Sequence, residues 1–142
     1  MVKSILVAVD GSESNRVAVD TAVEYAKTFG ASITAICVFD IGNYGVLSQS
    51  AAAGSEQVLV DQMTDSAMEY IRSKVEGTGL DFTAKTVTGR PAEEIINESK
   101  GYDLAVCGSM GRTGLKRALI GSVAETVVRL AHCPVLVVRE TS

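Results

Sequence analysis

The order of apolar patterns along the chain predicts an α/β fold: a three-layer, doubly wound parallel sheet of five strands with helices on both faces. Strand-length apolar runs stand at "SILVAVD" (4–10), "SITAICVFD" (32–40), "FTAKTVT" (82–88), "YDLAVCG" (102–108) and "CPVLVVR" (133–139). Helix-period stripes lie between them, so the element order reads βαβαβαβαβ. Right-handed crossovers turn that order into a parallel sheet covered on both sides.

Three of the runs are nearly continuous in Val, Ile, Leu and Ala, as strands buried on both faces require. The third alternates, with Phe82, Ala84 and Thr86 set against Thr83, Lys85 and Val87, and is expected at a half-exposed edge. In the first helix Val19, Ala22, Val23, Ala26 and Phe29 form one stripe after a cap region at Ser12 to Asn15, and Gly30 stops it. Leu59, Met63, Ala67, Ile71 and Val75 step by four along a second helix, ended by "GTG" at 77–79. Pro91 opens a short third helix through Ile95 and Ile96, as a first-turn proline does. The fourth is expected from about Ser122 to Ala131, with Val123, Val127, Leu130 and Ala131 on its inner stripe. Residues 40–54 fit neither period and read as a long loop or a frayed helix start.

The 142 residues match a single domain, 1–142. With 13 basic against 17 acidic residues the net charge is −4, which argues against nucleic-acid binding through a broad basic face. No window approaches the ~20 apolar residues of a membrane span, and no charged leader precedes the first strand, so the expected address is the cytoplasm. Cys37, Cys107 and Cys133 stand singly, with no Cys-x-x-Cys, which signals neither a disulfide framework nor a zinc site. The one histidine, His132, reads as a residue at a helix C-terminus.

Open α/β sheets take ligands at the carboxyl ends of their strands, where strand order reverses. Those ends supply Asp10-Gly11-Ser12, Asp40, Gly89 and the glycine-rich "CGSMGRTGLKRALIGSVAE" at 107–125. They converge only if strands one and four are neighbours. The segment Ser122-Val-Ala-Glu125 reads as a capping box, and the unpaired N–H groups and positive end of that helix suit anionic oxygens. Arg112, Lys116 and Arg117 read either as phosphate contacts or as a solvated loop. Neither a Walker A string nor a Gly-x-Gly-x-x-Gly after strand one is present, which excludes P-loop NTPases and dinucleotide Rossmann enzymes.

The spacing Gly108-x2-Gly111-x9-Gly121-Ser122 resembles the nucleotide-binding branch of the universal stress protein family, UspA-like proteins. So do "ILVAVDGSESNRVAVDTAVEYA", "VTGRPAEEI" and the whole ending from Tyr102, and only residues 40–55 lack a family anchor. The resemblance implies a sheet of order 3-2-1-4-5, adenine nucleotide alpha hydrolase-like and Rossmann-like, with ATP across the carboxyl ends of strands one and four. It implies that Ala8, Val9 and Asp10 line the adenosine pocket and that Val38 touches adenine. Gly108, Gly111, Gly121, Ser122 and Val123 would wrap ribose and phosphates, with Arg112 beside them. Some nucleotide-binding members carry proline where this chain has Ala8. Asp10 is expected either to bond ribose, or to help hold a Mg²⁺ that takes most ligands from phosphate and water, or simply to cap "GSES". Strand five is apolar yet would lie at the sheet edge, and the resemblance implies a homodimer through it, residues 134–139.

The leading expectation is a stress or regulatory protein that binds ATP or another adenine nucleotide and acts through conformation or a protein partner. No His, Glu or Lys stands by spacing as a general base at the phosphate loop, so turnover is at most slow and Mg²⁺-dependent. An ATP pyrophosphatase-type enzyme would carry Ser-Gly-Gly-x-Asp-Ser where this chain has Asp10-Gly11-Ser12-Glu13-Ser14. A phosphoacceptor receiver would need Asp and Lys where Thr88-Gly89 and Arg139 stand, and a flavin carrier would need aromatics, which make up 5% here. An interaction module that has kept the fold without a nucleotide is the remaining alternative.

Overall fold

The computed structural model describes residues 1–40, 56–109 and 120–140, the first five of the middle segment as backbone only. Among them, five strands form one parallel sheet in the order β3-β2-β1-β4-β5, the order that the resemblance implies. The strands are β1 (Ser4–Ala8), β2 (Ser32–Asp40), β3 (Phe82–Gly89), β4 (Leu104–Gly108) and β5 (Val135–Val138). The helices are α1 (Arg16–Phe29), α2 (Glu56–Val75), α3 (Pro91–Ser99) and α4 (Ser122–Leu130), and a 3-10 turn, Glu13–Asn15, leads into α1. The expected loop at 40–54 begins on Asp40, the last residue of β2; its remainder lies outside the described residues.

Alternation along the strands divides the core in two. Ile5, Val7, Ile33, Ala35 and Val106 point to one face, under Ala18, Val19, Ala22 and Val23 of α1 and Ala67, Met68 and Ile71 of α2. Leu6, Ile36 and Ala105 point to the other, under Ile95 of α3 and Val127 of α4. β3 is an edge strand, as its alternation predicts, but most of its residues on both faces are exposed. Only Phe82 and Val87 reach the packed layers, one on each side.

Gly30 ends α1 in the left-handed region at φ 64°, which glycine adopts without strain, and its N–H bonds the Ala26 carbonyl. Three residues of the predicted stripes are exposed. Phe29 is 44% exposed and meets Tyr25 edge to face at 5.8 Å, and Val123 and Leu130 of α4 are 36% and 59% exposed. The inner stripe of α4 is Ala124, Val127 and Ala131 instead. A nine-residue helix lying on a sheet buries only a narrow arc, and Val123 and Leu130 fall beside it.

Polar pairs fix how the layers sit. Tyr70 of α2 donates to Asp20 of α1 at 2.6 Å, and the Arg16 guanidinium lies 4.8 Å from the Tyr70 ring centre. On the opposite layer the buried Ser99 hydroxyl donates to the Ile96 carbonyl at 2.6 Å and accepts the His132 N–H at 3.0 Å. That tie joins the end of α3 to the residue just past α4. At the amino ends of the central strands the Asp103 carboxylate accepts from the N–H of Lys3 (2.8 Å) and of Ser4 (3.2 Å). The Lys3 amide is the main reason its carboxyl titrates below the usual range.

Replacing a fully buried side chain removes transfer energy and leaves a cavity, so Met68→Ala is expected to cost about 2–4 kcal/mol. Leu130→Ala, on the outer side of α4, should stay within about 0.5 kcal/mol. Urea unfolding of the two variants beside the parent chain measures both.

Candidate functional site

The strands β1 and β4 are neighbours, as convergence of the four strand ends requires, and they part at their carboxyl ends. Their pairing stops at Val7 with Val106. Beyond it β1 follows β2, with the Val9 N–H on the Ile36 carbonyl at 2.9 Å, while β4 follows β5, with the Ser109 N–H on the Val138 carbonyl at 3.0 Å. The crevice that opens between them is a cleft of about 340 Å³, within the range of small-molecule sites.

Ala8, Val9, Asp10, Val38, Gly108, Gly121, Ser122 and Val123, eight of the ten expected binding residues, line this one cleft. Gly111 and Arg112 lie outside the described residues, as do Lys116 and Arg117. Sequence reasoning did not assign the rest of the wall: Ile36, Cys37, Phe39 and Asp40 from β2, Met63 and Ala67 from α2, Pro91 and Ile95 from α3, and Asn15, Cys107, Ser109 and Ala124. Position at a strand's carboxyl end had already drawn Asp40 and the segment holding Cys107, Ser109 and Ala124 to this end of the sheet, without a role for any of the four. Met63 and Ala67 carry the four-residue step of a core stripe, and Ala67 is both buried and part of the wall.

The end of β1 is built by local bonds. Asp10 Oδ1 accepts from the Ser12 N–H at 2.8 Å and from the Ser12 hydroxyl at 2.6 Å, the local cap anticipated as one of its roles. Gly11 follows at φ 78°, and a Cβ there would stand 3.1 Å from the Ala67 Cα. Both the backbone angle and the approach of α2 therefore call for glycine. Asn15 is 7% exposed, and its carboxamide is not a helix cap: Nδ2 donates to the Ala8 carbonyl at 3.0 Å and Oδ1 accepts the Asp10 N–H at 3.3 Å.

The start of α4 faces the same space. The capping box expected at Ser122 and Glu125 is not formed: Gly121 is the N-cap in extended backbone, Ser122 is the first helical residue, and no side chain caps the turn. The cap fell one residue earlier because Gly121 is the last extended residue, so the spacing to Glu125 is one too long for a box. Glu125 pairs with Arg129 at 3.3 Å instead. The first helical bond runs from the Glu125 N–H to the Gly121 carbonyl at 2.9 Å, so the amides of Ser122, Val123 and Ala124 precede the ladder. All three residues line the cleft. The Gly121 amide donates to the Ser109 carbonyl at 2.7 Å, clasping the two ends of the intervening segment at the cleft floor.

The cleft thus combines apolar lining, Val9, Val38, Met63 and Ile95 among it, with residues whose amides precede the ladder of α4. That combination suits a ligand with a flat aromatic base and anionic oxygens. Among the described residues no cluster of three His, Cys, Asp or Glu could hold a metal ion. His132 lies past the far end of α4 and is not in the cleft.

Cys107 is free and buried in the cleft wall, and burial alone pushes its thiol up to about 11. At pH 8 it should resist a disulfide reagent in the folded protein and react at once on unfolding, which a thiol titration with and without urea measures. The folded state favours the neutral thiol, so its contribution to stability is complete below the ordinary thiol pKa. It should decline as pH rises through about 9 toward 11, visible as a falling urea midpoint. Gly11→Ala should cost about 1–3 kcal/mol by the same assay, because φ stays positive and the added methyl presses on α2.

A family model described as the universal stress protein family matches residues 1–139. The universal stress protein MJ0531 of Methanocaldococcus jannaschii is 36% identical over 140 residues, covering 97% of this chain and 82% of that one. YxiE, a universal stress protein of Bacillus subtilis, is 33% identical over 151 residues, covering 98% and 100%. The solved structure of MJ0577 superposes with a TM-score of 0.76 at 31% identity, covering 100% of this chain and 99% of its own. More distant structures share the fold alone. One is a universal stress protein in complex with cAMP (22% identity, TM-score 0.70, covering 99% and 98%) and another is an Arabidopsis thaliana member with AMP bound (21%, 0.65, covering 99% and 93%). Matched by the family model over residues 1–139 and by relatives at this level of identity, the chain belongs to the universal stress protein family.

Proposed function

We propose that this protein binds an adenine nucleotide, ATP foremost, in the cleft between β1 and β4, and that its role in stress response is exerted through nucleotide-dependent conformation or partner binding. The observation that carries this is the uncapped start of α4: three residues whose amides precede the helical ladder, at the positive end of the helix, line a cleft that also has apolar walls. Phosphate oxygens answer the first feature and a purine the second. The distant relatives bound to cAMP and AMP support the reading at the level of the fold.

In this reading adenine lies against Val9 and Val38, with Ala8 and Asp10 toward the ribose, and Gly108, Ser122 and Val123 toward the phosphates; Gly111 and Arg112 would add to the phosphate side. With Oδ1 of Asp10 engaged by Ser12, and no acidic cluster among the described residues, Mg²⁺ would enter on the phosphates. The protein's part is to bind, orient and shield. The free thiols of Cys107 and Cys133 accord with a reducing compartment such as the cytoplasm.

The same reading includes a homodimer through β5. Its residues are half-buried, and among the described residues it has a neighbour on one side alone, β4. The bonds from Ala105 to Pro134 and from Ser109 to Val138 turn the even-numbered residues of β5 toward β4, so the backbone of Val135 and Val137 faces outward. A second copy pairing there would cover the edge.

Calorimetric titration with ATP and Mg²⁺, beside anion-exchange analysis of what the denatured protein releases, tests the binding reading. Ser122→Pro removes a hydroxyl and the first amide donor, yet proline suits the first helical position and Gly121 already holds extended backbone. It should weaken ATP by about tenfold or more, in line with one lost bond to a charged group, with the melting temperature nearly unchanged. A folded parent chain that neither carries nor binds nucleotide would sink the proposal in favour of an interaction module. For the edge, Val137→Pro deletes an outward N–H alone, and sedimentation should change from dimer to monomer.

A further inference from the structure

We infer that Asn15 is a positioning residue of the cleft: its carboxamide stands where the next peptide of β4 would bond to β1, and so holds the two strands apart where the ligand enters. The inference deepens the nucleotide-binding reading and takes its ligand from it.

Backbone groups along a strand turn alternately to its two neighbours. The Lys3 carbonyl accepts from Ser32 and the Val9 N–H donates to Ile36, so odd-numbered residues of β1 face β2. The Ser4 carbonyl accepts from Asp103, so even-numbered residues face β4. Ala8 and Asp10 therefore direct a C=O and an N–H toward β4. Pairing has already stopped at Val7 with Val106, and the residue that would come next, Gly108, pairs with Val138 of β5. Two backbone groups at the floor of a cleft would be left for water or for collapse of β4 back onto β1.

Asn15 answers both. Its Nδ2 donates to Ala8 and its Oδ1 accepts from Asp10, at 3.0 and 3.3 Å. The carbonyl can only accept and the amide can only donate, so one orientation of the carboxamide satisfies the pair. An amide side chain is the closest chemical copy of a peptide group, and this one comes from the 3-10 turn that follows β1 rather than from a strand. The ladder is completed without bringing β4 closer. The bond to Asp10 also fixes the backbone from which the cleft-lining carboxylate projects.

The test uses the full chain. Asn15→Leu keeps the approximate volume and removes both bonds, and Ile33→Ala, at the amino end of β2, serves as a control destabilised away from the cleft. ATP affinity, melting temperature and amide hydrogen exchange are measured on each. The expected result is an Asn15→Leu protein that is folded, binds ATP about tenfold or more weakly, and exchanges the Asp10 amide faster, beside a control of normal affinity. Should Asn15→Leu not fold, Asn15→Ser is measured instead; its single hydroxyl lacks the span for both partners, and a loss of affinity with faster Asp10 exchange is again expected. Normal affinity in the folded variant, or an equal loss in the control, overturns the inference. If the parent chain binds no ATP, the nucleotide reading fails separately. The positioning role then stands or falls on the ligand-free spectra, where unmoved Asp10 and Gly108 amides would overturn it.

Discussion

Every backbone N–H and C=O of a central strand must find a partner, and β1 is the strand on which that requirement weighs most. It lies in the middle of the sheet, with β2 on one side and β4 on the other. At its start a side chain, Asp103, supplies acceptors for Lys3 and Ser4; at its end another, Asn15, serves Ala8 and Asp10. Between those two side chains the neighbouring strands do the work. The crevice exists because the second side chain lets β4 leave without orphaning β1.

The two faces of the sheet are unequal in a way that bears on the site. Under α1 and α2 the buried cluster is continuous from Ile5 to Ile71 and includes two long helices. Under α3 and α4, five buried residues among those described form the core, with partly buried ones around them, and each helix has nine residues. The Ser99 tie to His132 supplements that smaller core at the end of α4 remote from the cleft. The helix whose first amides line the cleft is thus held at both ends, through Gly121 and the buried Ala124 near the cleft and through the Ser99 tie beyond its far end.

The elements themselves were legible because their signals are local. Continuous apolar runs mark strands covered on both faces, and Gly30 and Pro91 mark helix ends through backbone restrictions that operate in any context. What was not legible depends on the neighbours. Whether Phe29 and Leu130 face in or out is set by how wide an arc each helix buries. The failed capping box turns on a shift of one residue. Met63 and Ala67 carry an ordinary core pattern, and only the position of α2 over the strand ends makes them a wall. Asn15 had a plain local reading as a cap, and its actual partners, Ala8 and Asp10, are decided by where β4 departs.

The bond between the Gly121 amide and the Ser109 carbonyl means that the strand end and the helix start meet whatever lies between them. The entropy of closing a loop grows only slowly with its length, so a segment with its ends already joined can lengthen, shorten or change composition at little expense to the frame. The frame therefore sets no length on that stretch, and the fixed count from Gly111 to Gly121 in the family spacing is not a demand of the sheet. Whatever constrains that stretch acts on it directly, and the fold beneath is inherited without it.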